Sequence, residues 1–380
     1  MKVLYISHES ELNGASKSLL EFVSKIKDRG IHPIVVIPSR GKLRFELDKV
    51  KIDTRIVAYE MCAYRGRYSM NDYIRYYKKN FIAIRKIIQI IKYENVDLVH
   101  SNSLAVDVGA VSACLAKVPH IWHMREYLKE DFNLTCINPT LDNWLMKRSN
   151  CCIAIALGIQ KKSMERYGIK AIQLYNGIDE KLYYYPVGNQ ENKIYKNQLM
   201  IAGSISAGKG QWDAIRATEI LIKKGICVHL NIVGDGAYEY VGELKKYVKQ
   251  KNMGENITFM PYKNNLKQLR RDSNAILVCS KMEAFGRVTA EAMMTGKIVI
   301  GASSGGTKEL IGKHEERGYL YTWNKPEELA EKIEYVHPEE VIDKEKRAQK
   351  FILGLTDLDA YTDKLKNIYY KILNTDKNRL

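Results

Sequence analysis

Short apolar runs alternate along this chain with longer stretches in which apolar side chains recur every three or four residues. Residues 3–6 read as a strand. Residues 16–27 carry Leu19, Leu20, Phe22, Val23 and Ile26 at helical spacing, and residues 34–37 form a second strand that stops at Pro38. Residues 97–100, 121–123 and 152–155 are further short strands. Continuous apolar runs suit strands buried on both faces, and strand–helix alternation predicts an α/β fold with a parallel, doubly wound sheet. A polar, Tyr-rich stretch over residues 179–198, with Pro186 and Gly188, breaks the rhythm and predicts a linker. The pattern then restarts, with strands at 199–203, 228–233, 257–260, 275–279 and 298–301. Two Rossmann-like domains are expected, residues 1–178 and 199–355, facing across a cleft where the carboxyl ends of both sheets bind ligands. Residues 356–380 follow, with a last helix predicted over 361–373 from Leu365, Ile368, Tyr369 and Ile372.

Sixty Lys and Arg against 44 Asp and Glu give a net charge of +16, which biases the protein toward phosphates, anionic membrane or nucleic acid. The excess is spread over both halves, so a solvated surface accounts for much of it. No window reaches the ~18 uncharged apolar residues of a membrane span, and the run at residues 3–6 meets Glu9 too soon for a signal peptide. A cytoplasmic protein is expected. The seven cysteines form no C-x-x-C pair and read as reduced core thiols. The histidines show no H-x3-H or H-E-x-x-H spacing, so no metal is expected.

The densest candidate chemistry lies in residues 280–293, where Glu283 and Glu291 flank a Phe-Gly turn just after an apolar strand. In one continuous helix, residues eight apart would lie roughly 12 Å and about 80° from each other. With Glu283 in a loop instead, the amides of Phe285, Gly286 and Arg287 open the helix as an anion cradle with a carboxylate on either side. Carboxylates beside a phosphate site suit sugar hydroxyls, whose protons they accept strongly.

These residues resemble the E-x7-E motif of the retaining glycosyltransferases of family 4, which have the two-Rossmann GT-B fold and include bacterial capsule and cell-wall enzymes. The resemblance implies a retaining, metal-independent hexosyltransferase that moves a sugar from a nucleotide sugar, in the first place a UDP-sugar, to an acceptor hydroxyl. No other cofactor is implied. Glu283 is then the catalytic carboxylate facing the donor sugar, and Glu291 grips the ribose. The loop 203–210 is similar to the family's Gly-Arg…Lys-Gly segment. Lys209 matches the phosphate-binding Lys, whereas Ser204 stands where the family has Arg, a gap that Arg287 is placed to fill. Gly234 and Tyr262 fall in loops that resemble the base and ribose pocket, and Gly305-Gly306 in a Gly-Gly-x-x-Glu turn that reads equally as a helix entry. In the first domain Gly14 keeps one glycine of the family's Gly-Gly segment, with Asn13 for the other and Ser16 able to cap the helix. His123 matches the histidine near the transferred sugar; without the resemblance a lone histidine reads as structural. The C-terminal helix is implied to cross back onto the first domain.

Asp357-Leu358-Asp359 has D-x-D metal spacing, but its place at a helix start reads as capping. Residues 65–92 interleave eight basic residues, Arg65, Arg67, Arg75, Lys78, Lys79, Arg85, Lys86 and Lys92, with Tyr64, Tyr68, Tyr73, Tyr76 and Tyr77. Such a segment suits an anionic membrane surface, single-stranded nucleic acid, or a plain solvated helix face. Arg75, Lys78 and Lys79 are the candidate membrane or acceptor patch, and a lipid-linked glycan is the acceptor that fits, with peripheral membrane association. Two alternatives stand beside this reading: a UDP-sugar epimerase on the same fold, and a non-catalytic protein that binds nucleotide or nucleic acid.

Overall fold

The computed structural model describes residues 1–66, 68–188, 197–263, 265–335 and 338–377; Arg67 and residues 189–196 of the predicted 179–198 linker lie outside them, and the start of that linker is the short helix Glu180–Tyr183 of the second unit. The chain divides into two compact units, Met1–Ile178 with Thr356–Leu380, and Asp179–Leu355.

The first unit contains β1 (Lys2–Ile6), β2 (His32–Ile37), β3 (Asp53–Ile56), β4 (Ala63–Arg65), β5 (Leu98–Ser101), β6 (His120–Met124), β7 (Leu134–Cys136), β8 (Cys151–Ala154) and β9 (Ile172–Gln173). Seven of them make a sheet in the order β3-β2-β1-β5-β6-β8-β9, parallel at each of its six pairings. Successive side chains point to opposite faces, and both faces are buried. Val3 and Tyr5 join one core with Leu19, Phe22, Val23 and Ile26 of the helix Gly14–Lys27 and with Tyr361, Leu365 and Tyr369 of the C-terminal helix Leu358–Lys377. Leu4 and Ile6 join the other core with Ala83, Ile87 and Ile91 of the helix Met70–Glu94. β4 and β7 form a separate antiparallel ribbon.

The second unit contains β10 (Asn197–Ala202), β11 (Val228–Val233), β12 (Ile257–Met260), β13 (Ala275–Val278), β14 (Ile298–Ala302) and β15 (Tyr319–Tyr321), in the parallel order β12-β11-β10-β13-β14-β15. The two-domain α/β architecture expected from the sequence is present. Five short strands were not anticipated: β3, β4, β7, β9 and β15. β3, β9 and β15 are sheet edges and β4 and β7 pair only with each other, so none needs the uninterrupted apolar run that marks a central strand.

In the second sheet, the chain winds one way from β10 to β12 and the other way from β13 to β15. The switch point lies between β10 and β13, and the loops leaving those strands open the crevice where such sheets take ligands. In the first sheet the corresponding point lies between β1 and β5.

Candidate active site

At the switch point of the second unit, the loop after β10 meets the loop after β13. The Lys281 amide donates to the Gly208 carbonyl at 2.8 Å, and Lys209 Nζ lies 2.6 Å from Glu283 Oε1. The two predicted residues thus converge, each satisfying the other's charge. Gln211 staples the first loop from within, accepting from the Ser206 amide at 3.3 Å and donating to the Ser204 carbonyl at 3.1 Å. Ser204 itself is exposed and brings no cation to the loop.

Backbone packing explains the glycines. A Cβ on Gly234 would lie 1.9 Å from the Gly203 carbonyl oxygen, so this position serves close contact between two protein loops, where the sequence suggested close approach to a ligand. The Gly306 amide donates to the Glu283 carbonyl at 2.7 Å, and a Cβ on Gly305 would lie 2.2 Å from that same oxygen. Gly305 and Gly306 therefore open the helix Gly305–Ile311 and clamp the Glu283 loop as well.

Gly286, at φ 84°, enters the helix Arg287–Met294, whose first turn has no acidic residue and whose N-cap has no side-chain hydrogen bond. Neither the cap nor the first turn of this helix therefore supplies a carboxylate to the positive end of its dipole, just beyond Phe285. Glu291, one turn inside, is buried with both oxygens engaged: Arg287 Nε donates to Oε1 at 2.9 Å, and Arg270 donates to Oε2. Two expectations change here. Arg287 is held by Glu291 instead of standing out as a replacement phosphate clamp, and Glu291 presents to a ligand only the lone pairs that two guanidiniums leave over. Arg270, fully buried in the helix Lys267–Asp272, was not anticipated, because its polar, strongly basic segment gives no sign of burial. The Tyr183 ring lies 5.7 Å from the Arg270 guanidinium and 5.9 Å from that of Arg287. Tyr262 follows β12 with its ring partly exposed and its amide donating to Asp235 Oδ1 at 3.2 Å.

In the first unit, the helix after β1 is entered through Asn13, whose amide donates to Ser16 Oγ at 2.8 Å; Asn13 is the cap, and Ser16 reaches back to it from the third helical position. A Cβ on Gly14 would meet nothing within 4 Å. Across the switch point, Asn102 Nδ2 donates to the Ala15 carbonyl at 3.2 Å.

His123, near the end of β6, is fully buried, and its Nε2 has no hydrogen-bond partner among the described residues. Its Nδ1 lies 3.1 Å from His100 Nε2, and His100 Nδ1 lies 2.7 Å from the Tyr369 hydroxyl on the C-terminal helix. Arg125 Nη2, a donor only, also lies 3.4 Å from His123 Nδ1, so the Tyr369 hydroxyl and Arg125 together decide whether His123 Nε2 offers a proton or a lone pair. Burial, then the Arg125 charge, holds both imidazoles well below their ordinary value. His123 is therefore a neutral hydrogen-bonding group. Arg125 is buried too, donating to Asn102 Oδ1 and to Asn176 Oδ1, each at 2.7 Å. The His100 and Tyr369 partners were beyond reach of the sequence, since β5 and the C-terminal helix meet only in the folded unit.

Asp357 accepts from the Ala360 amide at 2.9 Å as a helix cap, and Asp359 pairs with Arg29 at 2.8 Å. In the basic segment, Lys79 lies 2.6 Å from Glu60 and Arg75 lies 2.9 Å from Asp72, so two of the three patch residues are already neutralised. Lys78, Arg85 and Lys86 have no ion-pair partner among the described residues. The same helix exposes Met70, Ile74, Tyr77 and Phe81, which recur at helical spacing. No helix among the described residues is long and apolar enough to cross a membrane.

Residues 12–182 match the family Glycosyltransferase Family 4, and residues 189–352 match Glycosyl transferases group 1. The N-acetyl-alpha-D-glucosaminyl L-malate synthase of Bacillus anthracis is 26% identical over 373 residues, 94% of each chain. A glycosyltransferase of Methanocaldococcus jannaschii is 27% identical over 66% of this chain and 69% of its own length. Among solved structures, Anabaena HepE in complex with UDP superposes with a TM-score of 0.80 at 21% identity, covering 98% of this chain and 100% of that one. The complex of the same protein with UDP-glucose gives 0.78 at 22% identity, with both chains covered in full. With both halves of the chain matched in sequence and the whole of it in fold, this protein belongs to the family 4 glycosyltransferases and has their GT-B architecture.

Proposed function

We propose that the protein is a retaining glycosyltransferase that takes its sugar from a UDP-sugar and needs no divalent metal to do so. The observation that carries this reading is the Lys209–Glu283 pair, 2.6 Å apart at the switch point beside the uncapped start of the helix Arg287–Met294. A diphosphate arriving there meets one mobile cation and a row of helix-end dipoles, which together supply the charge that a metal supplies elsewhere. Lys209 then exchanges Glu283 for phosphate. Glu283, released, accepts from hydroxyls of the donor sugar and faces the positive charge that develops as the glycosidic bond breaks. Glu291 takes the ribose hydroxyls on its remaining lone pairs; in the first unit, His123 holds Nε2 as a neutral hydrogen-bonding group. The UDP-glucose named in the HepE complex and the α-D-glucosaminyl product named for the Bacillus anthracis relative favour such a donor and outcome.

For the acceptor we propose a lipid-linked glycan of surface-polysaccharide assembly, reached from an anionic membrane surface. The exposed stripe Met70, Ile74, Tyr77 and Phe81, beside Lys78, Arg85 and Lys86, supports it. Nucleotide release from a panel of UDP- and GDP-sugars, with and without lipid-linked acceptor and with and without chelator, tests the whole reading. UDP release with an α-anomeric product in the presence of chelator is expected. Turnover that chelator abolishes and Mn²⁺ restores would overturn the metal-free mechanism.

A further inference from the structure

In the first unit, a separate cluster gathers groups that the proposed reaction leaves unused. One donor atom each from Cys62, Asp107 and Asp142 lies within 4.8 Å of the others. Cys62 directly precedes β4, Asp107 precedes the helix Val108–Ala116, and Asp142 lies in the first turn of the helix Pro139–Arg148. The β4–β7 ribbon sets Ala63 opposite Cys136, whose half-buried thiol lies toward Asp142, just outside the three mutually close donors. Backbone bonds fix this meeting: the Cys62 amide donates to Ala105 at 2.9 Å, and the Ile137 amide donates to Cys62 at 2.8 Å.

The cluster is sealed from water, with Cys62 at 0%, Asp107 at 3% and Asp142 at 4% exposure. Tyr76 donates to one oxygen of Asp107. The other oxygen of Asp107 and both oxygens of Asp142 have no hydrogen-bond partner among the described residues, and no Lys or Arg pairs with either carboxylate there. A buried anion in that condition costs several kcal/mol, so each group keeps a proton unless a cation arrives. Burial, reinforced by Asp107, pushes Asp142 up to about 7; burial also raises Asp107 and, with the nearby acids, Cys62.

We propose that this cluster binds one zinc ion through Cys62, Asp107 and Asp142, with Cys136 closing the fourth position. Thiolate together with carboxylate selects zinc over magnesium or calcium, which prefer all-oxygen sites. Metal–ligand lengths of about 2.0–2.3 Å put tetrahedral donors roughly 3.3–3.8 Å apart, so occupancy asks only for a small inward rotation of these side chains. Tyr76 orients Asp107 as an outer-shell partner. The ion displaces a proton from each ligand, so binding strengthens as pH rises. Its role is structural: it ties the β4–β7 ribbon to two helices of the first unit.

The full-length enzyme, purified without a histidine tag, should carry stoichiometric zinc that survives dialysis against chelator. Enzyme produced in cobalt-supplemented medium should show a thiolate-to-cobalt charge-transfer band, lost in Cys62→Ser. Asp142→Asn guards against a variant that fails to fold, because it keeps the side-chain shape. If the site held only a protonated carboxyl, this variant would be as stable as the parent; with zinc bound, it should lose both metal and thermal stability. Metal-free enzyme from both media, a Cys62–Cys136 disulfide, or metal retained in both variants would overturn the proposal.

Discussion

Glu283→Gln is predicted to move catalysis and nucleotide binding in opposite directions. Glu283 and Lys209 form an ion pair at 2.6 Å whose side chains are 14% and 31% exposed. A pair that solvent reaches contributes about 1 kcal/mol, far less than the bare Coulomb energy at that distance. Lys209 must give up this interaction to bind phosphate, so the pair holds nucleotide affinity down by about that amount. Glutamine keeps the size and removes the charge, and UDP should then bind up to about 5-fold more tightly, the equivalent of ~1 kcal/mol. The same substitution removes the negative charge facing the developing cation, and kcat should fall on the order of 10²-fold or more. Calorimetric titration with UDP and steady-state nucleotide release read the two effects separately. If the variant bound UDP tenfold more weakly, Glu283 would be holding Lys209 in place for the phosphate, and the exchange of partners would be wrong. Full turnover would remove Glu283 from the chemistry.

Other expected outcomes rest on different residues. Gly234→Ala should cost at least ~2 kcal/mol or prevent folding, because its Cβ would lie 1.9 Å from the Gly203 carbonyl oxygen, whereas Gly208→Ala, with nothing within 4 Å, should stay within about 0.5 kcal/mol in urea denaturation. Burial raises Glu126 to about 7 from 4.5, so between those values the folded protein keeps a proton that the unfolded chain has released. Its contribution is therefore full below about pH 4.5 and is lost as pH rises through 7, by on the order of 3 kcal/mol; Glu126→Gln should flatten that slope between pH 5 and 8. Changing Lys78, Arg85 and Lys86 to Gln should release the protein from anionic vesicles, at roughly 1 kcal/mol per charge. Arg75 and Lys79, already paired with Asp72 and Glu60, should matter less, and equal loss from both sets in a sedimentation assay would refute that distinction.

Much of this protein was legible in its sequence because the signals are local. Buried parallel strands must be continuous apolar runs, so the central strands of both sheets stand out, as does the loop-then-helix form that separates Glu283 from Glu291. The resemblance carried the family. Three of the four sheet-edge strands escaped notice because an edge relaxes the demand for apolar residues, as in Asp53–Ile56. The electrostatic pairing of the site was not readable at all. Arg270 looks like a surface residue until the fold buries it against Glu291, and Arg287 looks available for phosphate until the helix turns it onto the same carboxylate. Cys62, Asp107, Cys136 and Asp142 have no motif spacing, and only the pairing of β4 with β7 and the entry angles of two helices bring them together. Sequence by itself determined the order of elements and the kind of chemistry. Which charges neutralise one another was decided by tertiary packing, since long-range proximity depends on how the chain winds and leaves no period to read.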